Sequence, residues 1–281
     1  MYQYEHRKDI NLIDYLSNQC NDFNNQHIIW KYLCFALQKI KKSISHYKAK
    51  SYLYNRICKN NRIMKIINLG GKGSLLDQFL SEVRDVQIQQ ERLRFRNNLT
   101  RIGEVMAYEI SKRLSFADED VITPLGIATV PTLKEQPILA TILRAGLPMY
   151  KGFLNFFDHA DSAFIAGYRK YKKNGKFEVK IDYITSPSIE DRNVIICDPM
   201  LASGSSIELA FKGLLEYGTP KHVHVAAVIA SREGLEYIER VLPESMVTIW
   251  TGAIDDELTV KSYIVPGIGD AGDLAFGEKT E

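Results

Sequence analysis

From Ser74 to about Leu114 the apolar residues recur at helical steps. In SLLDQFLSEVRDV, Leu75, Leu76, Phe79, Leu80 and Val83 fall on one side behind a serine placed to cap. LTRIGEVMAYEISKRL repeats the pattern with Ile102, Val105, Met106 and Ile110. FADEDVITPLGIATVPTLKEQ is polar and broken by prolines, so it predicts a loop with a short strand or two. Beyond it the period changes. Ile138–Leu143 is an apolar run followed by Arg-Ala-Gly, and SAFIAGYRK predicts a short strand ending at Gly167. Phe177–Ile184 alternates, as an edge or hairpin strand does. Val194–Asp198, Val223–Ala230 and Met246–Ile254 are nearly continuous apolar runs. Helical patterns at Ile207–Tyr217 and Arg232–Val241 separate them. In the first, Ile207, Ala210, Phe211, Leu214 and Leu215 form one stripe, which Gly218 and Pro220 end. Buried runs alternating with helices predict an α/β fold: a mostly parallel central sheet flanked by helices.

Composition narrows this picture. The 281 residues, 45% of them hydrophobic, suffice for one sizeable α/β domain or two small ones. No run approaches the length of a transmembrane helix. The opening MYQYEHRKDINLIDYL carries acids and no long apolar core, unlike a secretory signal. The four cysteines lack zinc-site spacing and read as reduced thiols in a cytoplasmic protein.

The net charge of +2 is uneven: residues 1–63 hold 11 Lys+Arg against 4 Asp+Glu, and the remainder holds 25 against 30. Residues 1–63 also lack Gly, Pro, Val and Thr. A basic binding extension, a short helical addition, or upstream sequence read through from an early start would each fit. The joint change at Met64 favours the last. The expected organisation is therefore an atypical segment 1–63 and a domain 64–281. His222 and His224 sit two apart at a strand start and share a face, but two imidazoles alone make a poor metal site.

The chemistry centres on VIICDPMLASGSS, Val194–Ser206. Ligands of open parallel sheets bind beyond the carboxyl ends of strands, where Asp198 stands. Ser203-Gly204-Ser205-Ser206 then enters a helix, whose dipole, amides and hydroxyls favour a phosphate. The loop lacks the Walker lysine and is no dinucleotide fingerprint. A carboxylate there repels phosphate but accepts sugar hydroxyls. The residues alone leave two readings open, a ribose-phosphate site and an ordinary strand–helix turn.

DPMLASGSS resembles the phosphoribosyl-pyrophosphate signature of uracil phosphoribosyltransferases, usually written DPMLATGGS. ILRAGLPM, YIVPGIGDAGDLAFG, FRNNLTRIGEVMAYEISKRL and DVITPLG also resemble segments of that family, in its order, from about Met64 to Gly277. The resemblance implies transfer of the 5-phosphoribosyl group to uracil, giving UMP and pyrophosphate in pyrimidine salvage. It implies the type I phosphoribosyltransferase fold with a small C-terminal hood. It further implies that Asp198, Pro199, Met200, Leu201, Ala202, Ser203, Gly204, Ser205 and Ser206 hold the ribose 5-phosphate and ribose hydroxyls. Arg144 and Arg169 match arginines on the pyrophosphate, the second in a flexible loop. Ile264, Gly269, Asp270 and Ala271 match the uracil-binding hood, and Asp270 also lies near phosphoribosyl pyrophosphate. Arg144, Arg169 and Asp270 are the catalytic candidates. No direct metal ligand is expected; Mg²⁺ would arrive through phosphoribosyl pyrophosphate, with GTP a candidate activator. A homodimer or homotetramer is implied, with no membrane and no nucleic-acid partner.

Ser203 stands for the family's threonine, Ser205 for a glycine and Pro148 for a glycine. Ala202 offers no general base, so uracil's own acidity, helped by the hood, must suffice. Two rivals remain at this stage. One is an RNA-binding regulator of similar fold, against which the intact hood segment argues; the other is an enzyme of the same fold acting on another base.

Overall fold

The computed structural model describes residues 64–171 and 177–279. The expectation for residues 1–63 falls outside them. The central sheet has the order β1 (Lys65–Asn68), β10 (Val247–Asp255), β9 (His222–Ser231), β7 (Asn193–Cys197), β4 (Ile138–Leu143), β5 (Asp161–Tyr171), β6 (Phe177–Thr185), and a short β8 (Met200–Leu201) pairs with β9. All its pairs are parallel except β5 with β6.

Both faces of this sheet are covered, which is why its strands read as unbroken apolar runs. In β7, Val194 and Ile196 point to one face and Ile195 and Cys197 to the other. The first pair packs with Phe211 and Leu214 of α4 (Ser205–Leu214) and Ile238 of α5 (Arg232–Val241). The second packs with α1 (Leu75–Arg84), α2 (Arg92–Ser111) and α3 (Leu147–Leu154). Glu82 of α1 joins the first two of these. It accepts from Arg94 and Asn98, and with Gln78 they lower its carboxyl pKa to about 2.

Two segments depart from the sequence reading. FADEDVITPLGIATVPTLKEQ is not mainly loop: β2 (Phe116–Thr123) and β3 (Gly126–Leu133) form an antiparallel ribbon in full register. Pro131 is tolerated because both strands of a two-stranded ribbon are edges. β5 does not stop at Gly167 but runs to Tyr171, shifting register between Ala166 and Gly167. A bulge lets the pair continue past a residue with no side chain. The C-terminal hood holds β11 (Glu257–Leu258), β12 (Ile264–Val265) and α6 (Ala271–Phe276).

Candidate active site

The proposed substrate residues gather at the carboxyl ends of the parallel strands. β4 and β7 are neighbours with Thr141 opposite Cys197, so Arg144 and Asp198 leave the sheet side by side. The two loops pack without a gap: a Cβ on Gly146 would lie 2.3 Å from Thr141 Oγ1 and 2.8 Å from the Cys197 carbonyl oxygen. Pro148, the departure just beyond, lies in the first turn of α3, where an amide proton has no intrahelical acceptor. Its own carbonyl accepts from Thr100 Oγ1 at 2.9 Å.

Asp198 is nearly buried, at 9% exposure. Its Oδ1 accepts the Met200 amide, and its own amide donates to Ala226. The chain then forms β8 and reaches Gly204, at φ +80°, which starts α4. A side chain here would be strained and would meet Tyr237 at 2.9 Å, Ile238 at 3.0 Å and the Gly234 carbonyl at 3.2 Å. The Asp198–Ser206 loop is thus braced from behind by α5. Tyr237 donates to Glu208 on α4, and Ser231 Oγ donates to the Ala202 carbonyl at 2.6 Å. Ser203 and Ser205 place their hydroxyls 3.1 Å apart beside the first amides of α4. Those amides lack intrahelical acceptors, so the surface offers N–H and O–H donors and the positive end of a helix dipole.

The hood comes to the same edge. Asp270 caps α6, its Oδ1 accepting from Gly272 and Asp273 at 3.0 Å each. Arg144 donates to Asp273 Oδ1 at 2.9 Å and to the Gly277 carbonyl at 3.3 Å. A Cβ on Gly272 would lie 3.8 Å from Arg144 Nη2. The structure therefore brings Arg144 and Asp270 to one corner and Asp198–Ser206 to the adjoining one. Arg169 lies on β5 opposite Val179, with its side chain outside the described part.

Sequence reading missed what orients the hood. Arg84 of α1 forms a two-pronged pair with Asp255 at the end of β10, at 2.8 and 2.9 Å. Both partners also hold Gly267: Arg84 donates to its carbonyl at 3.0 Å, and Asp255 accepts its amide at 2.9 Å. Gly267 itself has φ +57°, and a Cβ there would sit 2.1 Å from the Ile264 carbonyl oxygen. Asp273 was missed as well, although GDAGD marked its neighbourhood. Arg84 lies 171 residues from Asp255, and no local pattern signals such a pair.

A helix start rich in N–H and O–H donors beside a nearly buried carboxylate, facing a separate hood across the carboxyl edge of a parallel sheet, is the architecture of the type I phosphoribosyltransferase class. Comparison with known proteins narrows the class. A family model described as uracil phosphoribosyltransferase matches residues 72–278. The chain is 55% identical over 216 residues to the uracil phosphoribosyltransferase of Porphyromonas gingivalis, covering 77% of this chain and 100% of that protein. It is 38% identical over 204 residues to that of Pyrococcus furiosus, covering 72% and 85%. A solved structure from Aquifex aeolicus aligns with a TM-score of 0.68 at 30% identity, covering 77% of this chain and all of the other. The chain belongs to the uracil phosphoribosyltransferase family.

Proposed function

We propose that this chain joins uracil to phosphoribosyl pyrophosphate at the carboxyl edge of its sheet. The reaction is that of the family: the base nitrogen of uracil bonds to the anomeric carbon of the ribose, pyrophosphate leaves, and UMP forms. The observation carrying the site assignment is the convergence of the Asp198–Ser206 loop, Arg144 and the Asp270 corner on one edge.

In the proposed roles, the amides and hydroxyls of Ser203–Ser206 take the 5′-phosphate, and Asp198 accepts ribose hydroxyls. Arg144 spreads its charge over the departing pyrophosphate, where negative charge grows. Its present bonds to Asp273 and Gly277 support a side chain held at the leaving-group end before substrate arrives. Arg169 acts with it from the β5–β6 hairpin. Backbone groups of Ile264, Gly269 and Ala271 pair with the alternating donors and acceptors of the uracil edge. Asp270 is a positioning residue in this account, since one of its oxygens caps α6. The site then works chiefly by aligning base nitrogen and anomeric carbon.

Mg²⁺ would add positive charge on the diphosphate oxygens. Among the described residues there is no cluster of three or more His, Cys, Asp or Glu that could hold a metal ion. No described helix is long and apolar enough to cross a membrane. The buried Cys197, a free thiol, supports placing the reaction in the cytoplasm.

Self-association belongs to the proposal too. The β2–β3 ribbon exposes Ile122 at 87%, Leu125 at 101% and Ile127 at 72%. A two-stranded ribbon is marginal by itself, and such apolar surface finds cover in a second copy. The activity is tested by offering the full chain uracil, orotate and hypoxanthine with phosphoribosyl pyrophosphate and Mg²⁺. UMP should form, and neither other base should compete. Turnover of another base in preference, or salt-sensitive RNA binding without UMP, would overturn the reading.

A further inference from the structure

The opposite edge of the sheet carries a second polar cavity, of about 390 Å³. Lys65 opens β1, His222 opens β9 and Thr248 lies at the start of β10; all three line it, with Arg113, Lys221 and His224. β9 runs its full length between this cavity and Ser231, which braces the phosphate loop. Ten residues of strand put roughly 30 Å between the two places.

Three features give this cavity a preference in charge. First, no carboxylate lines it. Among the described residues Lys65, Arg113 and Lys221 form no ion pair, whereas Arg84, Arg94, Arg144, Arg192 and Arg232 all do. Second, His224 is 97% buried, being 3% exposed, and still has a donor to spare. Trp250 Nε1 donates to its Nδ1 at 3.1 Å, which puts the proton of the neutral ring on Nε2. That nitrogen has no partner among the described residues. Third, Arg113 acts on His224 across this cavity, although burial is the larger cause of that ring's low pKa. Burial, then His222, then Arg113 lower the His224 pKa to about 3. His222 stands with its ring 4.7 Å from that of His224 and bonds Thr248 Oγ1 at 2.9 Å.

A metal ion would meet only two imidazoles, beside three cationic side chains. An anion would meet three side-chain cations and an imidazole N–H among the lining groups, the donors that oxyanions favour. We propose that this cavity binds a phosphate-type oxyanion, as a second anion site remote from the substrates. The arrangement does not depend on which base the enzyme accepts, and it would let the concentration of a phosphate compound be read at the far end of β9.

Histidine NMR on the full chain tests this directly, because no histidine belongs to the proposed substrate site. Inorganic phosphate is titrated at constant ionic strength, with His222 and His224 assigned from His222→Gln and His224→Gln. Both resonances should move saturably while His159 stays still. Lys221→Gln, and separately Arg113→Gln, should weaken the response about tenfold without altering basal turnover. Arg144→Gln should leave it unchanged. A tighter response to ATP than to phosphate identifies the ligand as the phosphate of a larger molecule; equal responses identify the free ion. Still resonances, drift that follows ionic strength alone, or titrations unaffected by both cavity variants would overturn the proposal.

Discussion

Replacing Arg84 by Met should loosen the uracil end of the site while sparing the phosphate end. The change keeps an unbranched apolar stem but removes the guanidinium, and with it both prongs to Asp255 and the bond to the Gly267 carbonyl. Asp255, only 6% exposed, is left with the Gly267 amide as its surviving partner among these. Removing one member of a buried pair costs about 3–5 kcal/mol. The Arg84 side chain is 25% exposed, so water replaces part of the loss and about 2 kcal/mol is the expected penalty. Gly267 lies between Ile264 and Gly269, so the penalty falls on the turn proposed to grip the base. If base binding must restore that turn, 2 kcal/mol corresponds to about a 30-fold rise in KM for uracil. Initial rates with each substrate varied in turn would measure it. KM for phosphoribosyl pyrophosphate should stay within about twofold, because the bracing of its loop runs through α5 instead. Arg84→Lys keeps the charge without the fork and should recover part of the loss. An unchanged KM for uracil, or equal losses for both substrates, would refute the reasoning.

Four further outcomes follow from the same geometry. Asp198→Asn should weaken phosphoribosyl pyrophosphate more than uracil in equilibrium binding; equal losses would count against a ribose clamp. Gly204→Ala should cost about 1–3 kcal/mol in denaturant unfolding, since φ is +80° and Tyr237 blocks the space, and should raise KM for phosphoribosyl pyrophosphate. The His224 pKa is lowered to about 3 from an ordinary 6.5, so only the unfolded chain takes up this proton between those values. Stability should therefore fall by about 2 kcal/mol from this residue between pH 7 and pH 5, and His224→Gln should remove that part of the slope. Ile122→Asp with Ile127→Asp should shift sedimentation toward a single chain, and an unchanged assembly would exclude the ribbon as the contact.

The sheet was legible because burial on both faces leaves a one-dimensional trace. Val194–Cys197 is apolar throughout and Val223–Ala230 is broken only by His224, and their ends match β7 and β9 within a residue or so. The Ile207 stripe likewise marks α4 because only one side of that helix is covered. The ribbon was misread because its strands have no buried face. β2 is exposed along nearly its whole length, so no alternation forms, and Pro124 in the turn and Pro131 in β3 dominate the local signal. β5 was cut short at Gly167 because a bulge looks locally like a break.

The site divides in the same way. Asp198, Gly204 and the hood glycines sit in contiguous motifs whose backbone demands restrict the residues allowed. Arg84, Asp255 and Tyr237 act across long sequence separations, and only the folded chain brings them to the loops they hold. Asp270 changes most on inspection. In sequence it is an acid in a glycine-rich loop; in the fold it is the cap of α6, with Asp273 one turn on as the partner of Arg144.

The central claim is that one edge of the sheet holds both ends of the nucleotide product. A crystal structure of the full chain with UMP bound tests it most directly. The 5′-phosphate should lie on the amides and hydroxyls of Ser203–Ser206, the ribose hydroxyls against Asp198, and the uracil edge on the backbone from Ile264 to Ala271. UMP bound elsewhere, or with its phosphate and base exchanged between those two loops, would contradict the account.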